Sequence, residues 1–152
     1  MKGVETVKID EMQAGREMDA LIAEKVMGWS HKEGLKYDYN GPCEWNMVLI
    51  PPTMSDEDYT YWVFPPKGVI SKTFFLDKRY STDIVAAWEV RAKIQELGFT
   101  AVNVTAAGEQ PYCQFVKPID EDSIEEHIAY ADKDPLAICR ASLKAILGSD
   151  EV

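Results

Sequence analysis

The chain has 152 residues, 46% of them hydrophobic and 11% aromatic, and a formal net charge of −10. That length and composition predict one globular domain, 1–152, and exclude a disordered chain, while the apolar runs are too short to cross a bilayer. The acidic balance opposes direct nucleic-acid binding, which relies on clustered Lys and Arg, but permits mimicry of a nucleic acid toward a basic protein.

Met1-Lys2-Gly3-Val4-Glu5 is not a basic start followed by an apolar block, so no signal peptide is read and a cytoplasmic location is expected. Cys43, Cys113 and Cys139 form no CxxC pair and are odd in number, which predicts reduced, partly buried thiols.

Residues 1–10 alternate loosely and read as a short strand or an arm. Between Glu11 and Met27 the positions Met18, Leu21, Ile22 and Val26 follow helical spacing, with Gly28 as the stop. Residues 30–43, with Gly34, Asn40-Gly41 and Pro42, read as a loop. His31 and Cys43 lie there without a second pair of ligands, so no metal site is expected.

Trp45–Ile50 reads as a strand stopped by Pro51-Pro52, and Ser55-Asp56-Glu57-Asp58 as a surface turn. Tyr59–Phe64, stopped by Pro65-Pro66, and Val69–Leu76 read as two further strands. A central helix from Asp83 to Leu97 closes at Gly98, with Ser81 or Thr82 as its cap. Asp83, Ala86, Ala87, Val90, Ile94 and Leu97 share one stripe of it. Val85 and Trp88 lie nearly opposite, which predicts cover from a loop, a helix or a partner subunit.

Thr100–Thr105 and Tyr112–Val116 flank a Gly/Pro turn and read as a hairpin. The acidic stretch 119–134 reads as an exposed loop or short helix. Pro135 suits the first turn of a last helix, with Asp134 as its cap, and its stripe holds Leu136, Cys139, Leu143, Ile146 and Leu147, ending at Gly148. Arg140 falls on that stripe, and a guanidinium cannot be buried alone. An ion pair of Arg140 with Asp83, or with another carboxylate, is therefore expected.

Three strings, Met18-Asp19-Ala20-Leu21-Ile22-Ala23-Glu24-Lys25-Val26-Met27-Gly28-Trp29, Tyr80-Ser81-Thr82-Asp83-Ile84-Val85-Ala86-Ala87-Trp88-Glu89-Val90 and Pro135-Leu136-Ala137-Ile138-Cys139-Arg140-Ala141, together resemble the phage ABA sandwich domain family of phages and prophages. The resemblance implies a sheet flanked by helices and brings no catalytic residues. It departs at Arg79, where Pro is expected, and at Asp134, where a small residue is expected. With the element order above, it predicts an α+β fold: an αβα-type sandwich with a mostly antiparallel sheet of four to five strands and three main helices.

The sharpest candidate site is the start of the central helix, on which the chain reads as organised. Lys67, Lys72, Lys78 and Arg79 precede it, and free backbone N–H groups there suit an anion. Lys78, Arg79, Tyr80, Ser81 and Thr82, supported by Arg140, would hold the phosphate and base of a nucleotide-type ligand. An ordinary cap with solvated basic residues explains the same letters. Cys113 with His127 is the alternative nucleophile and base, but nothing activates that thiol. The function expected is a non-enzymatic phage accessory or counter-defence protein without cofactor, a homo-oligomer that sequesters a nucleotide-type signalling molecule in the infected cell. The alternative is an acidic inhibitor presenting Asp120, Glu121, Asp122, Glu125 and Glu126 to a basic host protein.

Overall fold

The computed structural model describes residues 6–33, 47–55 and 76–152. A 3-10 turn at Ile9–Glu11 precedes, in chain order, α1 (Arg16–Lys25), β1 (Ser30–Glu33), β2 (Met47–Ile50), α2 (Ile84–Glu96), β3 (Thr100–Val104), β4 (Tyr112–Pro118), β5 (Ile124–Tyr130) and α3 (Asp134–Leu147). The described residues fall into two compact units, one running to Met27 and resuming at Lys78, the other lying between Gly28 and Asp77.

In the first unit α3 is the organising element, not the segment around Arg79. Every residue from Pro135 to Lys144 is buried. Leu136, Ile138 and Leu143 point apolar surface in several directions, and Ala137, Ala141 and Ser142 let neighbours approach closely. A helix apolar all round needs cover on all sides, and α3 has it: β4 and β5 lie on one side, α2 and α1 on others. Each buried Leu or Ile contributes about 1.5–3 kcal/mol. Pro135 occupies the first turn, Asp134 is the first helical residue, and Lys133, not Asp134, is the cap. Gly148 closes the helix at φ +62°, a left-handed position that costs a residue with Cβ more than Gly.

The sheet has the order β3-β4-β5 and is antiparallel throughout. Cys113 pairs with Ala129, Phe115 with Ala101 and His127. Because side chains alternate along a strand, these residues share the face toward α3, and Cys113, Phe115 and Ala129 are buried there. Phe99 adds an edge-to-face ring contact to Phe115, centroids 6.3 Å apart. The opposite face carries Val102, Val104, Tyr112, Gln114, Ile128 and Tyr130.

The hairpin and the three helices appear as the sequence predicts, and the fold is α+β with antiparallel pairing in all five described strands. The strands form two sheets, of two and three strands, rather than one. Within 119–134, expected to be a loop or short helix, residues 124–130 are instead strand β5. The acidic letters mask an alternation in which Glu125, His127 and Ala129 turn inward and Glu126 outward. The N-terminal arm pairs with the other chain end: the Val7 and Val152 N–H groups donate to each other's carbonyls at 3.2 and 2.9 Å.

In the second unit β1 and β2 pair antiparallel, Ser30 opposite Ile50. Ser30–Glu33, expected within a loop, is therefore a strand, and Pro51 ends β2 as predicted. Trp29, Leu49, Ile50 and Leu76 are buried. The strand expected at 59–64 and most of that at 69–76 lie outside the described residues, as do Cys43, Lys67 and Lys72.

Candidate functional site

The segment ahead of α2 is a tight turn in which the Asp83 N–H donates to the Arg79 carbonyl at 2.8 Å. Its side chains divide sharply. Tyr80 and Ser81 are buried, whereas Arg79 and Thr82 are exposed. The cap of α2 is Asp83, not Ser81 or Thr82: its carboxylate accepts from the Val85 N–H at 3.0 Å. Asp83 is exposed rather than on the buried stripe, and so is Leu97 at the other end.

Ser81 is engaged within the fold. Its backbone N–H and its hydroxyl both donate to Asp19 Oδ1, at 2.8 and 2.7 Å, and its oxygen accepts from the Gly15 N–H at 2.9 Å. The turn thus holds an anion, and that anion is the buried Asp19 carboxylate of α1. Lys78 pairs with Glu89 at 3.1 Å. The Tyr80 carbonyl accepts from the Cys139 thiol at 3.2 Å.

Arg140 is buried and bound to backbone, which corrects the expected ion pair with Asp83 or another carboxylate. Its Nε and Nη2 donate to the Met12 carbonyl at 3.0 and 2.7 Å, and Nη1 to the Tyr130 carbonyl at 2.8 Å. A guanidinium can be satisfied by carbonyl dipoles when its fork matches two of them. One turn on, the buried Lys144 ammonium donates to Asp10 at 2.9 Å and to the Ile128 carbonyl at 2.8 Å. Of the six expected ligand contacts, Lys78, Arg79 and Thr82 remain together on the surface, and Tyr80, Ser81 and Arg140 belong to the interior.

Cys113 and His127 do not form a dyad. Phe115, not Cys113, pairs with His127, and burial pushes the Cys113 thiol up to about 12, so the thiolate that a nucleophile needs is absent at neutral pH. Burial likewise raises the Cys139 thiol well above its ordinary value. Among the described residues no three His, Cys, Asp or Glu side chains gather to hold a metal ion.

On α2, Val85 is 67% exposed and Trp88 is 46% exposed. The Arg91 guanidinium lies 4.5 Å from the centre of the Trp88 ring and supplies part of its expected cover from within the chain. A cavity of about 460 Å³ opens beside the start of α1, lined by Val7, Glu11, Met12, Gly15, Arg16 and Met18 among others.

The acidic residues gather at the tip of the β4–β5 hairpin. Ile119 and Asp120 N–H groups donate to the Ser123 carbonyl at 3.0 and 3.4 Å, and the Asp122 N–H to Asp120 Oδ1 at 2.9 Å. That last bond, with help from Ser123, holds the Asp120 carboxyl below its ordinary range. Asp120, Glu121 and Asp122 are exposed, flanked by Ile119 and Ile124 at 65% and 57% exposed. Sequence reasoning identified the acids but not the two isoleucines, although their places on either side of the run were visible. It also missed Asp19, an acid in phase with the apolar positions Ile22 and Val26.

Residues 20–143 match the family model described as the phage ABA sandwich domain. No curated protein and no solved structure matches the chain. None of the helices is long and apolar enough to cross a membrane, among the described residues.

Proposed function

The chain belongs to the phage ABA sandwich domain family, and from that premise we propose that it is a non-catalytic accessory or counter-defence protein that binds a basic host protein through its acidic hairpin. The observation that carries this reading is the tip itself: three exposed carboxylates between two exposed isoleucines on a turn ordered by its own hydrogen bonds. Charge there steers a basic partner, and the isoleucines supply apolar area once it arrives. The test is capture of basic host proteins by the wild-type chain and by an Asp120→Lys, Glu121→Lys, Asp122→Lys variant, at low and high salt. The reading expects capture that weakens with salt and disappears on charge reversal; capture unchanged by reversal refutes it.

Sequestration of a nucleotide-type signalling molecule is the second reading. What favours it is the exposure of Arg79 and Thr82 with Lys78 on one turn. In this reading the ligand lies on the surface, because Tyr80, Ser81 and Arg140 have partners inside. Alanine at Arg79 should abolish retention of a nucleotide in native mass spectrometry without altering melting; retention by that variant removes the reading.

A further inference from the structure

We propose that the face of the β3-β4-β5 sheet turned away from α3 is a docking surface for a basic amphipathic helix of a partner protein. The inference rests on the hairpin reading above and extends it from the tip to the sheet. The register places Val102, Gln114 and Ile128 in one row of this face, Val104, Tyr112 and Tyr130 in the next, and Thr100, Val116 and Glu126 in a third. Val102 and Tyr130 are exposed, and the Tyr112 and Tyr130 rings pair with centroids 5.3 Å apart. The face is therefore a largely apolar, aromatic-bearing patch, the composition of an interface centre.

Charge selects the partner. No Lys or Arg lies at any of these positions. The one charged residue in the rows is Glu126, which accepts a hydrogen bond from Gln114, and the face runs at one end into Asp120, Glu121 and Asp122. A partner must then bring apolar side chains for the rows and positive charge for that end. A second copy would bring the same acidic end and its own net charge of −10, which like-charge repulsion disfavours.

Geometry selects a helix over a strand. Addition of a strand needs free edge carbonyls, and side chains occupy three of them: Arg91 Nη2 binds the Ala101 carbonyl of β3 at 3.0 Å, and Lys144 and Arg140 bind the Ile128 and Tyr130 carbonyls of β5. Three strands spaced about 4.8 Å apart span roughly 10 Å, the width of one helix. The opposite face of this sheet already seats a helix, α3.

The test is calorimetric titration of the purified full-length chain with a synthetic Leu/Lys amphipathic helical peptide, against a scrambled peptide of the same composition. The amphipathic peptide should bind at least about tenfold more tightly, and Val102→Lys and Tyr130→Lys should each weaken it by about tenfold with melting unchanged. Equal binding of the two peptides overturns the proposal, and so does a dimer in sedimentation that Tyr130→Lys dissociates. If reversal of Asp120, Glu121 and Asp122 abolishes binding while the two sheet variants retain it, the docking face falls and the hairpin reading stands. If the sheet variants lose binding and the reversed tip keeps it, the hairpin reading falls and the basic character assigned to the partner falls with it, leaving only an apolar docking face.

Discussion

The Asp19 carboxylate accepts both the backbone N–H and the hydroxyl of Ser81, at 2.8 and 2.7 Å, across 62 residues of chain. Both residues are almost wholly buried. This pair ties α1 to the turn ahead of α2.

A buried carboxylate that loses a donor keeps its desolvation cost, so removal of either partner should destabilise the fold. Ser81→Ala deletes one of the two donors to the carboxylate and the acceptor of the Gly15 N–H, whereas Asp19→Ala orphans the Ser81 N–H and leaves the hydroxyl the Gly15 carbonyl at 3.3 Å. Each should cost about 1–3 kcal/mol. Urea denaturation of both singles and the double gives the coupling. A coupling energy near zero would mean that the pair does not hold the turn.

Arg140 and Asp83 make the opposite prediction. Arg140 serves Met12 and Tyr130 carbonyls, and Asp83 serves the Val85 N–H. Arg140→Met should cost about 1–3 kcal/mol, since it strips two part-buried carbonyls of their guanidinium donor, and Asp83→Ala about 1 kcal/mol as a lost cap. The two losses should add in a double-mutant cycle. Hydrogen exchange in Arg140→Met should accelerate first around residues 7–12, the arm that the guanidinium holds.

How much of this was legible in the letters follows from which forces are local. Helical spacing, Pro135 and Gly148 are local signals, and they placed α3 to within a residue or so. The hairpin of β3 and β4 was equally readable, because a Gly/Pro turn between alternating segments leaves few other structures. β5 was hidden because its inward face includes Glu125 and His127, polar residues that a composition argument assigns to solvent. The partners of Ser81 and Arg140 were not legible at all: Asp19 lies 62 residues from Ser81, and Met12 lies 128 from Arg140. Nothing in the spacing of Arg140 distinguishes a carbonyl partner from a carboxylate. Two of the six expected ligand contacts, Ser81 and Arg140, are engaged by distant parts of the chain, whereas Arg79 and Thr82 stay on the surface.

The buried thiols make the alkaline limb of stability predictable. Cys113 has its pKa raised from 9.0 to about 12 by burial. A raised folded pKa means that stability is intact below about pH 9 and falls as pH climbs toward 12, because the unfolded chain ionises first. The slope is about 1.4 kcal/mol per pH unit for one such thiol. Denaturation curves at pH 8, 9 and 10 should show this fall, and Cys113→Ala should flatten it relative to wild type. At pH 8 both Cys113 and Cys139 should resist a thiol reagent in the native state and react in denaturant, as read by peptide mapping.

Arg91 carries the last prediction. Its Nε donates to Asn103 Oδ1 at 2.8 Å, its Nη2 to the Ala101 carbonyl at 3.0 Å, and its guanidinium lies over Trp88. One side chain therefore covers an edge carbonyl of β3 and part of an exposed indole. Arg91→Ala should cost about 1–2 kcal/mol from the lost bonds and packing. It should also uncover an edge carbonyl of β3, which no other described strand pairs, beside apolar surface, the combination that promotes edge-to-edge association. Light scattering at increasing concentration should then rise for Arg91→Ala well below its melting temperature. Arg91→Lys separates the two effects: a single ammonium can still reach the Ala101 carbonyl but cannot also bind Asn103 through a planar fork. It should restore colloidal behaviour more fully than it restores stability, and equal loss of both would show that the edge is protected by something other than Arg91.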